Sequence, residues 1–521
     1  MKWPFKWRAC LVGFIVLATP LSFRLAAQPP RRADFFGGDA VHHDRQPAPF
    51  REAIRPALFV DDKAGPKEPK PELSAAKGPL RVHPTNPRYF TDGSGKAVLL
   101  TGSHTWGNLQ DYTYAETKSP TAMDFKAYLD FLKAHDHNFF RLWTWESPFN
   151  PKAKQSTINY DPMPYERPGP GTALDDKPKF DLSLFNLAYF DRLRSRVKSA
   201  RDEGIYVSVM LFQGFSIEGK GNVGGDPWQG HPLNPKNNVN EIDGGGSAKV
   251  HTLSNCAVTT LQEAYVRKVI DTVNDLDNVL YEITNEDRGG GANTEWQFHL
   301  IRFIKDYQTK KANQHPVGMT AQYPEGKDAV LLQSPADWIS PGAQFMASDG
   351  RKVILNDTDH SYFWIGLKKD GVATQRAWVW KNFTRGSQCL FMDPYLDPSH
   401  DPGRNAPAGG QPDAYWEPLR KAMGQTRTFA NRMDLAGMVP RDELASSRYC
   451  LANVGKEYLI YLPLGGNVTV DVSAVPGRLA AEWFDPANGK TLTADPVAGG
   501  ARLGFKAPFE RDAVLYLKAL R

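Results

Sequence analysis

From residue 80 to residue 434, short apolar runs alternate with longer stretches in which apolar residues recur every three or four positions. The short runs are rich in β-branched and aromatic residues, as in strands that are buried on both faces of a parallel sheet. The longer stretches have the spacing of helices that bury one face. The eight predicted strands are, in chain order, 99–106, 138–143, 206–211, 278–287, 316–320, 337–340, 352–357 and 388–393. Eight such units in series predict an α/β domain of the (β/α)8 TIM-barrel class.

The pattern changes after residue 434. Four short runs typical of strands follow, at 458–462, 468–472, 480–484 and 513–517. Turn-forming pairs such as Gly465-Gly466 and Asn488-Gly489 separate them. Short strands between tight turns are typical of antiparallel sheets. We therefore predict a small antiparallel β-sandwich at 435–521, following a barrel at 80–434.

Two long segments, 144–181 and 212–258, are rich in Gly, Pro and Asn and follow the second and third predicted strands. In a TIM barrel the loops after the strands lie at the C-terminal face, where binding sites are built. Long loops in that position usually form or cover a cleft. We predict that both insertions do so here.

The N-terminal segment differs in composition from the rest of the chain. A positively charged start precedes an apolar run at 9–21, which is short for a membrane span and typical of an export signal. We predict a signal peptide at 1–27 and a disordered, Pro-rich spacer at 28–79. Leu25 is large for its place before the cleavage site, so an uncleaved anchor is the alternative. We expect the protein to be secreted, periplasmic or on the cell surface.

Composition narrows the choice of partners. A formal net charge of +5 over 521 residues, without a basic stripe, gives no reason to expect nucleic-acid binding. No segment after the export signal is apolar enough to span a membrane. We expect a monomer. The three cysteines that follow the signal are odd in number and not spaced as CxxC, so we predict buried free thiols.

Polar residues follow the fourth and seventh predicted strands at the points where these strands end. Asn285-Glu286 ends the fourth strand, and Asp357 and Asp359 end the seventh. These two strands lie on opposite sides of a barrel mouth, so we expect their carboxyl groups to face each other. Cleavage of a glycosidic bond needs such a pair, with one acid for the leaving oxygen and one base or nucleophile for the anomeric carbon. The predicted catalytic residues are Glu286 as general acid/base and Asp357 as the opposing carboxylate, with Asp359 as the alternative to Asp357.

Other side chains at strand ends are predicted to form a polar and aromatic rim. Arg141 could bond the nucleophilic carboxylate and keep it ionised. The predicted substrate-binding residues are Asn285, Arg141, His104, Trp106, Trp143, Glu146, His360 and Asp393. A metal held by Asp359, His360 and Asp393 is an alternative. The first strand lacks the His-x-His sequence of many metal-dependent barrel hydrolases, so we predict no metal and no cofactor.

Several segments resemble a known group of proteins. The segments "HPTNPRYFTDGSGKAVLLTGSHTW", "NFFRLW", "ITNED" and "ILNDTDHSYFW" are similar to those of secreted bacterial cellulase-like and apiosidase-like proteins. These belong to the clan of retaining (β/α)8 glycoside hydrolases, whose fourth strand ends in Asn-Glu. The tail, with "GNVTVDVSAVPGRLAAEWFDPANGK", resembles a domain named for collagen binding. The resemblance implies a carbohydrate substrate, with Glu286 as the acid/base and Asn285 assisting it.

The chain departs from the clan at the seventh strand, where Asp357 or Asp359 stands in place of a glutamate nucleophile. Aspartate is one methylene shorter, which sets its carboxyl group back from the sugar. A wider gap would admit a water molecule and favour inversion, since retaining pairs lie about 5–5.5 Å apart and inverting pairs ~6.5–9.5 Å. We predict an exported glycoside hydrolase acting on a poly- or oligosaccharide. The alternative is a carbohydrate- or matrix-binding surface protein whose barrel has lost catalysis.

Overall fold

The computed structural model describes residues 76–114, 122–153, 156–221, 223–346, 348–360, 371–393 and 413–520, which all lie in one compact unit, Ala57–Arg521. The predicted signal peptide lies outside the described residues, as does most of the predicted spacer. The last four residues of that spacer are described, and Ala76 is buried, with its N–H donating to the Arg201 carbonyl at 3.1 Å. Ordered packing therefore begins slightly before residue 80.

Eight parallel strands form the barrel. They are β1 (Gly102–His104), β2 (Phe139–Leu142), β3 (Tyr206–Gln213), β4 (Val279–Asn285), β5 (Val317–Thr320), β6 (Trp338–Ser340), β7 (Val353–Asp357) and β8 (Gln388–Met392). The hydrogen-bonded order is β1-β8-β7-β6-β5-β4-β3-β2, so β2 to β7 each pair with the next strand in the chain, and the last strand pairs with the first. All eight strands predicted from the sequence are present, which confirms the α/β TIM-barrel fold.

The ring closes between β1 and β2 through Asn138. Its N–H donates to the Thr101 carbonyl at 2.9 Å, and its side-chain amide accepts from the Thr101 N–H at 3.0 Å and donates to the Leu99 carbonyl at 2.9 Å. A Cβ on Gly102 would lie only 1.9 Å from the Phe139 carbonyl oxygen. The two strands approach this closely because position 102 is glycine.

Alternation along each strand separates the barrel interior from the layer of helices. In β2, Phe140 and Leu142 pack among the helices, whereas Phe139 joins an apolar layer that fills the lower part of the barrel. The strand residues of that layer, and those just beside them, are Leu100, Phe139, Tyr206, Leu280, Trp338, Val353, Leu355 and Leu390. Two residues further along β2 and β4, the same alternation brings Arg141 and Glu282 to the inside, where both are fully buried.

Helices surround the strands and bury one face against them. They are α1 (Phe125–Ala134), α2 (Leu187–Asp202), α3 (Cys256–Val273), α4 (Gly291–Gln308), α5 (Asp328–Gln333), α6 (Val372–Thr384) and α7 (Glu417–Arg432). The first three begin after Asp124, Asn186 and Asn255, whose side chains accept hydrogen bonds from N–H groups of the first turn. These caps satisfy donors that a helix cannot satisfy itself.

The two insertions contain short elements of their own, which the sequence did not predict. In the first, strands Phe149–Ala153 and Ser156–Asp161 form a three-stranded sheet with Asp111–Tyr114, and Tyr165–Glu166 pairs with Asp181–Phe185. The second holds two 3-10 turns, Gly214–Ser216 and Pro227–Gln229. Both follow the C-terminal ends of their strands, and side chains from both reach the candidate site described below.

The C-terminal part is antiparallel, as the sequence predicts. One sheet has six strands in the order Val439–Pro440, Cys450–Asn453, Glu457–Leu462, Ala513–Ala519, Arg478–Asp485 and Lys490–Ala498. Strands Asn467–Asp471 and Arg502–Lys506 form a second, two-stranded sheet. Apolar side chains of both sheets share one core, so this part is a small two-layer β-structure.

The sandwich packs against α6 and α7 of the barrel. Trp380 of α6 is fully buried and stacks on Tyr461 of the sandwich, with ring centroids 6.1 Å apart. The Arg376 guanidinium donates to both oxygens of Asp512, at 2.7 and 3.2 Å. The two parts therefore share a core and a buried ion pair.

The described cysteines are unpaired, as predicted: Cys389 and Cys450 are buried, but Cys256 is exposed at the start of α3. None of the described helices has the length and apolar character needed to cross a membrane.

We predict that replacing Trp380 with alanine lowers the free energy of unfolding by about 3–5 kcal/mol, because it empties the centre of the shared core. Denaturant unfolding, followed by circular dichroism, measures this change. Leu464→Ala is the control, since Leu464 is 90% exposed. A loss no larger for Trp380→Ala than for the control would contradict the shared core.

Candidate active site

Arg141 on β2 is the centre of a buried polar cluster inside the barrel. Its Nε donates to Glu282 at 2.9 Å, and its Nη2 donates to Glu282 at 2.5 Å and to Asn285 Oδ1 at 2.6 Å. Its Nη1 donates to Asp357 at 3.0 Å and to Asp359 at 3.2 Å. A guanidinium group has five N–H donors, and here each has an acceptor. Arg141 thus ties the ends of β2, β4 and β7 together.

Asp357 at the end of β7 is sealed inside this cluster. Its side chain is fully buried, and Oδ2 accepts from His104 Nε2 at 2.8 Å as well as from Arg141. The other oxygen, Oδ1, accepts from the Asp359 N–H at 2.9 Å. Burial opposes ionisation, but the neighbouring His104 and Arg141 outweigh it and hold the pKa of Asp357 well below its usual range.

His104 is neutral in this arrangement. The Trp143 indole N–H can only donate, and it lies 2.8 Å from His104 Nδ1, which must therefore carry a lone pair. The proton of His104 is on Nε2 and points at Asp357. Trp143 is itself buried, with its ring 5.1 Å from the Arg141 guanidinium carbon. Both residues, which the sequence predicts to bind substrate, contact the buried cluster: His104 bonds to Asp357, and the Trp143 ring lies beside Arg141.

Asp359, two residues further on, lies nearer the surface. Its side chain is 9% exposed, whereas that of Asp357 is 0% exposed. Burial raises the pKa of Asp359 to about 6, although Arg141 acts in the opposite direction. The single guanidinium of Arg141 cannot neutralise the carboxyl groups of Glu282, Asp357 and Asp359 together. The negative charge of Asp357 therefore raises the pKa of Asp359 further.

Glu286 follows β4 directly and is partly exposed. Burial of its carboxyl group raises its pKa well above the usual range, and the charge of Asp359 raises it further. Lys220 and Arg141 act in the opposite direction. The backbone of Glu286 is left-handed, with φ at 43°, which is uncommon for a residue with a side chain. The charge of Asp359 thus acts on the Glu286 carboxyl group in the same direction as burial.

Asn285 and His360 complete the cluster. The Asn285 side-chain oxygen accepts from Arg141 and from His360 Nε2, the latter at 2.9 Å. Ser340 Oγ lies 2.7 Å from the other ring nitrogen, so a neutral His360 satisfies both contacts. Burial lowers the pKa of His360 well below its usual range, which agrees with this state.

Glu146 and Asp393, predicted at the rim, belong to other networks. Glu146 accepts from the Gln213 N–H at 2.7 Å and lies 3.2 Å from His251 and 3.4 Å from His231, both in the second insertion. Burial would raise the pKa of Glu146, but the two histidines lower it to about 2. Asp393 accepts from Arg420 of α7 at 2.6 and 2.8 Å and is buried. These contacts connect loops and helices to the strand ends.

Trp106 is the predicted aromatic residue that keeps a partly exposed side chain. Its ring lies 6.2 Å from Trp143 and 5.7 Å from Trp145. Trp106 follows β1 and lies beside these two buried rings.

A small pocket, with a volume of about 40 Å³, lies beside Glu146 between the two insertions and α3. Its walls include Tyr165, His231 and Tyr265. Neither Glu286 nor Asp359 lines it, so the carboxyl pair marks a different place on the C-terminal face.

Two residues of the cluster were not predicted. Glu282 was read as part of an apolar strand, although its position two residues after Leu280 points it into the barrel. Lys220, from the second insertion, donates to the Glu286 carbonyl at 2.8 Å. A position in a glycine-rich loop gives no sequence signal for such a contact. Among the described residues, no group of three or more His, Cys, Asp or Glu side chains is arranged to hold a metal ion.

Family models match two parts of the chain. One, described as a domain of unknown function (DUF6298), matches residues 158–337. The other, described as "Putative collagen-binding domain of a collagenase", matches residues 436–518. A search of curated proteins gave no match.

Solved structures match most of the chain. A glycoside hydrolase of family 5 from Bacteroides vulgatus is 15% identical, with 84% of this chain and 93% of that chain covered and a TM-score of 0.57. Another glycoside hydrolase is 13% identical, with 85% and 97% covered and a TM-score of 0.54. The chain thus has the (β/α)8 fold of these glycoside hydrolases and ends in a domain similar to the collagen-binding one.

Proposed function

We propose that this protein is an exported glycoside hydrolase that cleaves O-glycosidic bonds in a poly- or oligosaccharide. The observation that carries the proposal is the position of Glu286 directly after β4 and of Asp359 just after β7, where Asp359 is bound by the Arg141 guanidinium. The two carboxyl groups come from the ends of β4 and β7, and both have raised pKa values, chiefly because they are buried. The fold shared with glycoside hydrolases supports the assignment. Export rests on the N-terminal sequence alone.

Glu286 is the proposed general acid. A carboxyl group whose pKa is raised keeps its proton to higher pH than an ordinary glutamate, so it can give that proton to the leaving glycosidic oxygen. As that bond breaks, the electron pair goes to the oxygen together with this proton. The described residues offer the Glu286 carboxyl no hydrogen bond that would hold its proton back.

Asp359 is the proposed second carboxylate, acting on the anomeric carbon directly or through a water molecule. Of the two candidate aspartates, Asp359 is the one with an exposed side-chain surface, and it is held by the Arg141 guanidinium. Arg141 makes Asp359 the group of the pair that loses its proton first. Asp357, with both oxygens occupied, positions Arg141 and the Asp359 backbone.

We predict that Glu286→Gln and Asp359→Asn each reduce hydrolysis by about 10²–10⁴-fold. The first substitution removes the acid that protonates the leaving oxygen, and the second removes the carboxylate that acts on the anomeric carbon. Release of reducing sugars from a polysaccharide panel is the measurement. Glu295→Gln on α4 and Asp130→Asn on α1 are matched controls, since both side chains are exposed and lie on helices rather than at the strand ends. If Glu286→Gln retains wild-type activity, the assignment fails; a folded wild type that releases no sugar would instead favour a carbohydrate-binding protein.

The pH dependence of kcat/KM should be bell-shaped. Asp359 must be ionised to act, so activity should fall as the pH drops through about 6, the raised pKa of this carboxyl. Glu286 must be protonated, so activity should fall again at higher pH, where this group loses its proton. An acid limb near the ordinary aspartate pKa of about 4 would contradict the role of Asp359.

We predict that Arg141→Met lowers the free energy of unfolding by about 3–5 kcal/mol at pH 8, because it leaves buried carboxylates unpaired. The loss should be smaller at pH 4.5. The depressed pKa of Asp357 contributes stability that is present above its unfolded-state pKa and lost as the pH falls through the folded-state value. Without Arg141, Asp357 can take up a proton at pH 4.5 and so avoid an unpaired charge.

Urea unfolding at the two pH values measures the effect of Arg141→Met. The control is Arg194→Met, which breaks an equally bidentate but surface-exposed pair with Asp275 and should change stability by about 0–1 kcal/mol. An Arg141→Met effect that is equal at both pH values would contradict the proposed charge network.

A further inference from the structure

Lys220 is a buried lysine from the second insertion. Its side chain is 2% exposed. The ammonium group donates to two backbone carbonyl oxygens, that of Glu286 at 2.8 Å and that of Tyr323 at 2.7 Å. It therefore joins the second insertion to the loops that follow β4 and β5.

The backbone of Glu286 needs such support. Its left-handed φ of 43° is unfavourable for a residue with a side chain and persists only where the surroundings enforce it. Lys220 binds the carbonyl oxygen of this residue. Gly214, in the 3-10 turn at the start of the same insertion, faces the same oxygen, and an added Cβ would lie only 2.4 Å away. The Glu286 carbonyl is thus fixed between an ammonium group and a position that has no side chain.

We propose that Lys220 is a positioning residue for the general acid: it holds the Glu286 backbone in its left-handed conformation and so fixes the place from which the carboxyl group acts. This inference rests on the proposed function, because it gives Lys220 a role in the reaction assigned to Glu286. The alternative is that Lys220 merely ties three loops together.

The charge of Lys220 distinguishes these two roles. Burial and the charge of Asp359 raise the pKa of Glu286, and Asp357 raises it further by a smaller amount. Lys220 has the largest lowering effect on this pKa, followed by Arg141. Around Lys220 itself lie Asp287, Glu218 and Arg288, and burial lowers its own pKa. Removing the ammonium charge should therefore make Glu286 hold its proton more tightly.

Lys220→Met keeps the length of the side chain but removes its charge and donors. We expect kcat to fall by about 10²-fold through misplacement of the acid, with a much smaller change in KM. The alkaline limb of the pH profile should move to higher pH, because Glu286 loses a neighbouring positive charge. A fall in kcat without that shift would mean that Lys220 acts only as a structural tie, and would overturn the proposal.

Two further variants separate charge from geometry. Gly214→Ala displaces the Glu286 carbonyl but keeps the ammonium group, so kcat should fall while the alkaline limb stays in place. Lys220→Arg keeps the charge and should keep the alkaline limb, but its larger head group should lower kcat. Should Lys220→Met fail to fold, Lys220→Arg decides: an unchanged kcat would contradict the proposal. Lys126→Met on α1, whose side chain is 77% exposed, is the control.

A second readout does not depend on activity. Carbodiimides label protonated carboxyl groups, so peptide mass spectrometry can follow labelling of Glu286 against pH in the wild type and in Lys220→Met. The labelling midpoint should move to higher pH in the variant; an unchanged midpoint would overturn the proposal. If the wild type hydrolyses no glycoside but the midpoint moves, the proposed function fails while the contact between Lys220 and Glu286 stands.

Discussion

A buried guanidinium group that uses all five of its N–H donors organises the upper barrel. Removing an arginine from water is costly unless its charge and donors are matched, and at Arg141 they are matched by Glu282, Asn285, Asp357 and Asp359. Lysine could not do the same, because it is a point charge with three donors and no planar fork. The strand ends of β2, β4 and β7 are therefore held in one arrangement, with an excess of carboxyl groups around one positive charge. That excess helps to keep a proton in the site near neutral pH.

Much of this could be predicted from the sequence. The eight strands were found because their β-branched and aromatic runs are typical of buried parallel strands, and Asn285, Glu286, Asp357 and Asp359 were found because they end two of those strands. Glu282 was missed because the run around it was read as uniformly apolar; alternation with Leu280 would have placed it inside the barrel. The choice between Asp357 and Asp359 depends on which carboxyl lies beneath His104 and Arg141, and spacing along the chain does not show this.

The contact between Lys220 and Glu286 could not be predicted from the sequence. Lys220 lies 66 residues before Glu286 in the chain, in a loop without periodic hydrophobicity. Only the folded arrangement brings its ammonium group to the Glu286 carbonyl. The histidines of the same insertion, which meet Glu146 at the end of β2, were likewise invisible in sequence. Long insertions at the C-terminal face of a barrel are thus where sequence patterns say least about a site.

The C-terminal sandwich stabilises one side of the barrel. It packs on α6 and α7, which precede and follow β8 in the chain. In the sheet, β8 lies next to β7, the strand that carries Asp357. The shared core around Trp380 and the ion pair between Arg376 and Asp512 give it a structural role whatever else it binds.

The central claim is that Glu286 carries a proton while Asp359 is ionised. Neutron diffraction from deuterium-exchanged crystals grown at pH 7 would locate that proton directly. The account predicts a deuteron on the Glu286 carboxyl group and none on Asp359. A deuteron on Asp359, or bare carboxylates at both positions, would contradict it.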